Sequence, residues 1–385
     1  MQVYADYSAT TPVSPHVLEE MTAVYETTFG NPSSIHQTGR NARQIIDQSR
    51  REIAGAIHAQ PKEIIFTSGA TESNNTAIKG AAYKNKHLGH HLITTQIEHH
   101  SVLHVFEYLE KQGFEVTYLP VSREGLLNID DLKEALREDT ILVSVMFGNN
   151  EVGTIQPVDD IGALLSDHQA LFHVDAVQTA GHLPLDVKEL NVDMMSLTAH
   201  KFYGPKGVGL LYIKEGTPLE YSQLGGSQET KRRAGTENVP LIKGMARALT
   251  EAVSQLDDHN IRLMQLKEYF LNGLQQRSIP FEVNGDKNMQ LAHITNLYFP
   301  FSDVEIMLTL LDMAGVYVSS GSACTAGSIE PSHVLSAMFG DDPRTKRSIR
   351  FSFGHEMTED QLDYIADQLL KIYEMNRERS EFNGK

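Results

Sequence analysis

The chain has 385 residues, 41% hydrophobic and 22% charged, with 33 Lys and Arg against 50 Asp and Glu and a formal net charge of -17. That length suits two or three domains with ordinary cores. So acidic a balance excludes nucleic acid as a direct partner, because phosphate contacts need clustered Lys and Arg. The opening MQVYADYSATTPVSP has no basic region followed by an apolar run, and no stretch reaches the apolar length of a membrane span. With a single cysteine in the chain, the expectation is a cytoplasmic protein with no membrane partner.

From residue 62 to residue 213, short apolar runs alternate with helical patterns. The runs 63–67 (EIIFT), 91–95 (HLITT), 115–119, 140–147, 172–175, 193–198 and 208–213 predict strands. Between them, 101–112, 130–137 and 157–168 predict helices. This alternation implies an α/β fold built on a mostly parallel seven-stranded sheet with helices on both faces. Such sheets bind ligands beyond the carboxyl ends of their strands. The amphipathic stretch 239–277 predicts two helices or one long one. After residue 279 come short strands near Phe281 and at 296–299, 316–319 and 348–352, then a closing helix from 359 to about 379. This part reads as a smaller α+β domain, against which the extended first dozen residues pack. The expected division is a large domain over 14–255 and a small one over 1–13 with 256–385.

Three segments at predicted strand ends hold residues with chemistry. In TAHKFYGPKGVG (198–209), Lys201 sits at a ligand-facing turn. A partly desolvated lysine loses proton affinity and becomes a nucleophile toward carbonyls. Thr198 and His200 flank it with groups suited to a phosphate, and the spacing is not that of a Walker loop. The plainer alternative is a glycine-rich turn. In VDAVQTAG (174–181), Asp175 can pair with a protonated pyridine nitrogen, and Gln178 can reach a ring hydroxyl. An Asp that caps the following helix is the alternative. In TSGATESNN (67–75), the amides of Ala70 and Thr71 with the Thr71 hydroxyl can cradle a phosphate at a helix start, whereas Glu72 would repel it. Together the three meet the needs of pyridoxal phosphate: an aldehyde partner, a pyridinium partner and a phosphate site.

The one cysteine, Cys324, lies in the polar run SSGSACTAGS (319–328). A lone thiol makes neither an intrachain disulfide nor a multi-thiolate zinc site, so its chemistry is that of a single nucleophile. A chance thiol in a surface loop is the alternative. Histidines 87, 90, 91 and 100 have no convincing ligand spacing, and no metal is expected. Met194, Met195 and Met307 read as core residues.

The segments YADYSATTP, FGNPSSIH, FTSGATESNN, IEHHSVL, FGNNEVGTIQP, HVDAVQTAG, TAHKFYGPKGVG, RRAGTENVP, SSGSACTAG and SIRFSFG follow one another nearly end to end. In them the chain resembles the cysteine desulfurases of the NifS/IscS type, in the class V aminotransferase family of fold-type-I pyridoxal phosphate enzymes. The resemblance implies pyridoxal 5'-phosphate as cofactor and L-cysteine as substrate, with Cys324, Lys201 and His99 catalytic. Lys201 would join the cofactor, and His99 would stack on its ring and serve in proton transfer. Asp175 would hold the ring nitrogen and Gln178 the ring hydroxyl, with Asn150 also at the cofactor. Ala70, Thr71, Thr198 and His200 would bind the phosphate. Thr236 would reach the phosphate of a neighbouring subunit, which implies a homodimer. Asn150 and Arg350 would bind the substrate carboxylate, the arginine through a bidentate pair. Family members often have Ser where this chain has Thr198, and the hydroxyl is kept. A persulfide on Cys324 would pass to sulfur-acceptor proteins, an iron-sulfur scaffold or a tRNA thiolation enzyme. The competing readings are a selenocysteine lyase and a sulfur-relay assembly subunit on the same fold.

Overall fold

A computed structural model describes residues 1–320 and 331–383. A two-residue strand, β1 (Val3–Tyr4), opens the chain. The main sheet then uses β2 (Ile64–Thr67), β3 (His91–Thr95), β4 (Glu115–Leu119), β5 (Thr140–Met146), β6 (Leu171–Asp175), β7 (Met194–Thr198) and β8 (Gly209–Ile213). Their order is β2-β8-β7-β6-β5-β3-β4. All seven predicted strands are present, each end within one residue of its expected position. β2, β3, β5, β7 and β8 are buried along their whole length, which is why they read as unbroken apolar runs instead of alternating ones. β4 lies at an edge and begins on exposed Glu115, a charge that discourages edge pairing.

Only β8 opposes its neighbours, running antiparallel to both β2 and β7. The reason is local. The link from Thr198 to Gly209 is too short to hold a crossover helix, so the chain must turn back. That tight return places Lys201 at the carboxyl end of the sheet.

Two helices outside the predicted set, Pro15–Thr27 and Gln37–Ala56, pack on Val239–Ser254. The second buries a thin stripe of Ala42, Ile46 and Ile53 in a sequence otherwise rich in Arg and Gln. The stretch 239–277 forms two helices, Val239–Ser254 and Leu256–Gln276, broken at Gln255, whose φ of -114° and ψ of 13° are not helical. A second sheet joins β9 (Glu282–Asn284) and β10 (Ile294–Tyr298). Beyond it, β11 (Val316–Tyr317) pairs in parallel with β1, and β12 (Ser348–Ser352) pairs antiparallel with β10. The closing helix runs Glu359–Asn383.

Phe270, Phe299, Phe351 and Phe353 centre the core behind this second sheet, and Val3, Ala5 and Tyr7 join it. Met194, Met195 and Met307 are fully buried, as expected of core residues. The first dozen residues do more than cover that core. The Thr11 N–H donates to His200 O at 2.9 Å, tying the amino-terminal segment to the turn that carries Lys201.

Candidate active site

A cavity of ≈ 470 Å³ opens beyond the carboxyl ends of β5, β6 and β7, and Lys201, Asp175, His99, Thr71 and Arg350 all reach it. Lys201 closes the 3-10 turn Ala199–Lys201 after β7. Its Nζ donates to Ser8 O at 2.5 Å and Ala9 O at 2.9 Å, so the amino-terminal segment holds the amine in the cavity. Asp175 is the last residue of β6 and is 5% exposed. Its Oδ2 accepts from Asn74 Nδ2 at 2.8 Å and its Oδ1 from the Val177 N–H at 3.0 Å. Burial pushes its carboxyl above the usual range, against the pull of the Asn74 and Val177 hydrogen bonds and of the Lys201 charge.

His99 precedes the helix His100–Lys111, and its Nδ1 accepts from the Ser101 N–H at 3.1 Å. A nitrogen that accepts from an amide carries no proton, so the neutral ring is protonated at Nε2. Burial, followed by the Lys201 charge, lowers its pKa to about 4, which keeps the imidazole neutral at ordinary pH. His200 is lowered to about 4 in the same way, with burial first and Lys201 next, and its Nδ1 lies 3.2 Å from Thr10 Oγ1. Thr198 Oγ1 donates to Val208 O at 3.3 Å beside the same cavity.

The helix Ala70–Asn85 starts without a side-chain cap, at Gly69 with φ +154°. An uncapped helix start with its dipole facing a cavity is a ready anion site. β8 runs so close behind it that a Cβ on Gly209 would lie 2.7 Å from Gly69 Cα. Glu72 does not compete for this site. It accepts from the Ser68 N–H at 2.7 Å and pairs with Arg233 at 2.8 Å. Burial raises its pKa, but the Arg233 and Ser68 hydrogen bonds outweigh that and leave it lowered. The lysine amine, the buried carboxylate, the neutral imidazole and the open helix start match in kind the aldehyde, pyridine ring and phosphate of pyridoxal phosphate.

Gln178 also lines the cavity, with its Nε2 donating to Ser8 O at 2.8 Å. Asn150 lines it too, but here its backbone carbonyl accepts from Arg350 Nη1 at 2.8 Å. Arg350 pairs through Nη2 with Asp6 at 2.7 Å, so one edge of the guanidinium faces a carboxylate of the chain itself. Thr236 is exposed and is not among the cavity-lining residues of this chain. Cys324 lies outside the described residues. Sequence reasoning gave Asp6, Ser8, Asn74 and Ser101 no role at the site, although each stands in a segment that carries the resemblance. Of the histidines weighed as ligands, His91 is hydrogen-bonded to Thr140 and Thr117, and His100 stacks on His104 with the His333 ring tilted against it. No group of three or more His, Cys, Asp or Glu among the described residues is disposed to hold a metal ion.

Residues 3–365 match the family model for aminotransferase class-V. The chain belongs to the class-V aminotransferase family. Among similar proteins of this family, the IscS 1 protein of Bacillus subtilis (strain 168) is 51% identical over 372 residues, covering 96% of this chain and 98% of the relative. Cysteine desulfurase IscS of Dictyoglomus turgidum is 49% identical, covering 98% of this chain and 95% of its own. A solved structure described as a NifS-like protein superposes with a TM-score of 0.91 at 39% identity, covering 97% of this chain and all of the other. The class-V fold thus accounts for the mostly parallel sheet and for a site at its carboxyl edge.

Proposed function

We propose that this class-V family member is a pyridoxal phosphate-dependent cysteine desulfurase, which takes sulfur from L-cysteine, releases L-alanine and holds the sulfur as a persulfide on Cys324. The observation that supports this reading most is the convergence of the Lys201 amine, the buried Asp175 carboxylate and an uncapped helix start on one cavity. The cofactor, when bound, supplies an electron-withdrawing ring that weakens bonds at the substrate α- and β-carbons.

The chain's own residues do the rest. Lys201 would hold the cofactor through its aldehyde, and its amine would take up the substrate α-proton. Asp175 would hold the ring nitrogen, where an ionised carboxylate keeps a proton in place. His99 presents its Nε2–H as a hydrogen-bond donor, and the resemblance gives it a part in proton transfer. Gln178 would hold the ring hydroxyl, and the amides of Ala70 and Thr71 with Thr198 and His200 would hold the phosphate. Asn150 and Arg350 orient the substrate carboxylate, in competition with the Asp6 pair. The Cys324 thiolate then forms a bond to the substrate sulfur as the Cβ–Sγ bond breaks, and the electron pair stays with the carbon skeleton that becomes alanine. We further propose a homodimer in which Thr236 serves the neighbouring subunit, and sulfur-acceptor proteins as partners, either an iron-sulfur scaffold or a tRNA thiolation enzyme. The lone cysteine fits a reducing cytoplasm. No described helix is long and apolar enough to cross a membrane.

The test is direct. Purified protein should be yellow and should release sulfide and alanine from cysteine in the presence of a thiol reductant. Lys201→Ala should lose borohydride-reducible cofactor attachment, and Cys324→Ala should keep the cofactor but make no sulfide. A Cys324→Ala variant with normal sulfide release would refute the mechanism, and a preference for selenocysteine in kcat/KM would make the chain a selenocysteine lyase.

A further inference from the structure

Asn74 lies on the first turns of the helix Ala70–Asn85 and is fully buried. A buried amide in that position needs partners for its N–H groups, and Asn74 Nδ2 has two. It donates to Asp175 Oδ2 at 2.8 Å and to Ser101 Oγ at 2.9 Å. The Ser101 hydroxyl, having accepted from Asn74, has its own proton left to give, and His99 Nδ1 is 2.8 Å away. The Ser101 N–H points at that same nitrogen. One side-chain amide therefore links the carboxylate that ends β6 to the imidazole that starts the next helix.

We propose that Asn74 is a positioning residue for the cofactor site, fixing the Asp175 carboxylate directly and the His99 ring through Ser101. What Asp175 and His99 do there rests on the function proposed above, whereas the linkage itself does not. Asp175 receives one donor on each oxygen, so removing Asn74 leaves Oδ2 buried without that donor. The Asn74 hydrogen bond is also the foremost influence holding the Asp175 proton affinity down against burial. Without it, the carboxyl binds its own proton more readily and pairs less well with a protonated pyridine. On the other arm, the Ser101 hydroxyl loses the donor that directs its proton toward His99.

The experiment compares wild type, Asn74→Ala, Ser101→Ala and the double variant, each with pyridoxal phosphate and after its removal. Two quantities are read: the dissociation constant of pyridoxal phosphate, and the ¹⁵N resonance of His99 Nδ1 in the cofactor-free chain. Loss of a hydrogen bond to a charged group should weaken cofactor binding by about 10- to 100-fold in Asn74→Ala. Ser101→Ala should bind it within about threefold of wild type, since the Asp175 arm is intact. Both single variants should shift the His99 resonance, and the double variant should shift it no further than Ser101→Ala alone. Asn74→Ala with wild-type cofactor affinity and an unmoved His99 resonance overturns the proposal. Should Asn74→Ala fail to fold, an unmoved His99 resonance in Ser101→Ala overturns it equally. A wild-type chain that binds no pyridoxal phosphate would refute the proposed function. The linkage would then stand or fall on the His99 resonance of the cofactor-free chain.

Discussion

Glu98 provides the sharpest test of the electrostatics around the site. It is fully buried beside His99, its Oε1 accepts from Thr95 Oγ1 at 2.7 Å and the Met146 N–H at 3.0 Å, and its Oε2 has no hydrogen-bond partner among the described residues. Burial raises its pKa from 4.5 to about 8. The folded chain therefore keeps a proton that the unfolded chain has released, and the stability this group contributes is full below pH 4.5 and lost as pH rises through about 8. Between pH 6 and 8 the loss is roughly 2.3 kcal/mol, because the slope of about 1.36 kcal/mol per pH unit falls away as Glu98 nears half-ionisation at about 8. Glu98→Gln keeps the accepting oxygen and removes the ionisation. Urea unfolding of both proteins at pH 6 and pH 8, at one protein concentration, isolates the effect, because every other titrating group cancels in the difference. The wild type should lose about 2–3 kcal/mol more than Glu98→Gln over that interval. Parallel pH dependences would mean that Glu98 is already ionised at pH 6, and the account of its burial would be wrong.

His173 should show the opposite slope. Burial lowers its pKa to about 3, and its two nitrogens meet Ser144 Oγ at 2.8 Å and Ser196 Oγ at 2.9 Å. Its contribution is full above pH 6.5 and is lost as pH falls toward about 3, so His173→Gln should flatten the acid limb of stability by roughly 1.4 kcal/mol per pH unit. An unchanged limb in calorimetry counts against it. Glu229, with its side chain 2% exposed, makes a two-point pair with Arg50 and accepts from the Phe66 N–H at 3.0 Å. Glu229→Ala strands the arginine and should cost about 3–5 kcal/mol in denaturant unfolding, and a loss under 1 kcal/mol would contradict that. Gly209→Ala drives a Cβ to within 2.7 Å of Gly69 Cα and should abolish pyridoxal phosphate absorbance. Gly55→Ala, with nothing within 4 Å of the added Cβ, should raise the melting temperature slightly. Equal behaviour of the two glycine variants would refute the close approach of β8 to the helix start.

Much of the fold was legible because it is written locally. Buried strands with helices between them leave runs and periodicities that survive without any partner, and all seven strands of the main sheet followed from them. The helices Pro15–Thr27 and Gln37–Ala56 were not among the predicted elements, although Ala42, Ile46 and Ile53 recur at helical spacing, and both pack on Val239–Ser254. The site divides along the same line. That Lys201, Asp175 and Thr71 would face one cavity was legible because each lies within three residues of a strand end or a helix start.

What joins them is not local. Asn74 meets Asp175 across 101 positions of chain, and Asp6 meets Arg350 across 344. Sequence alone therefore determined the kinds of chemical group, the strands that present them and the family they resemble. Only tertiary structure decided that Asn74 and Ser101 together link carboxylate and imidazole, that the amino-terminal carbonyls hold Lys201, and that Asp6 shares Arg350. Hydrogen bonds between distant segments depend on how the layers stack, and a linear pattern holds no record of which polar side chains that stacking brings within 3 Å.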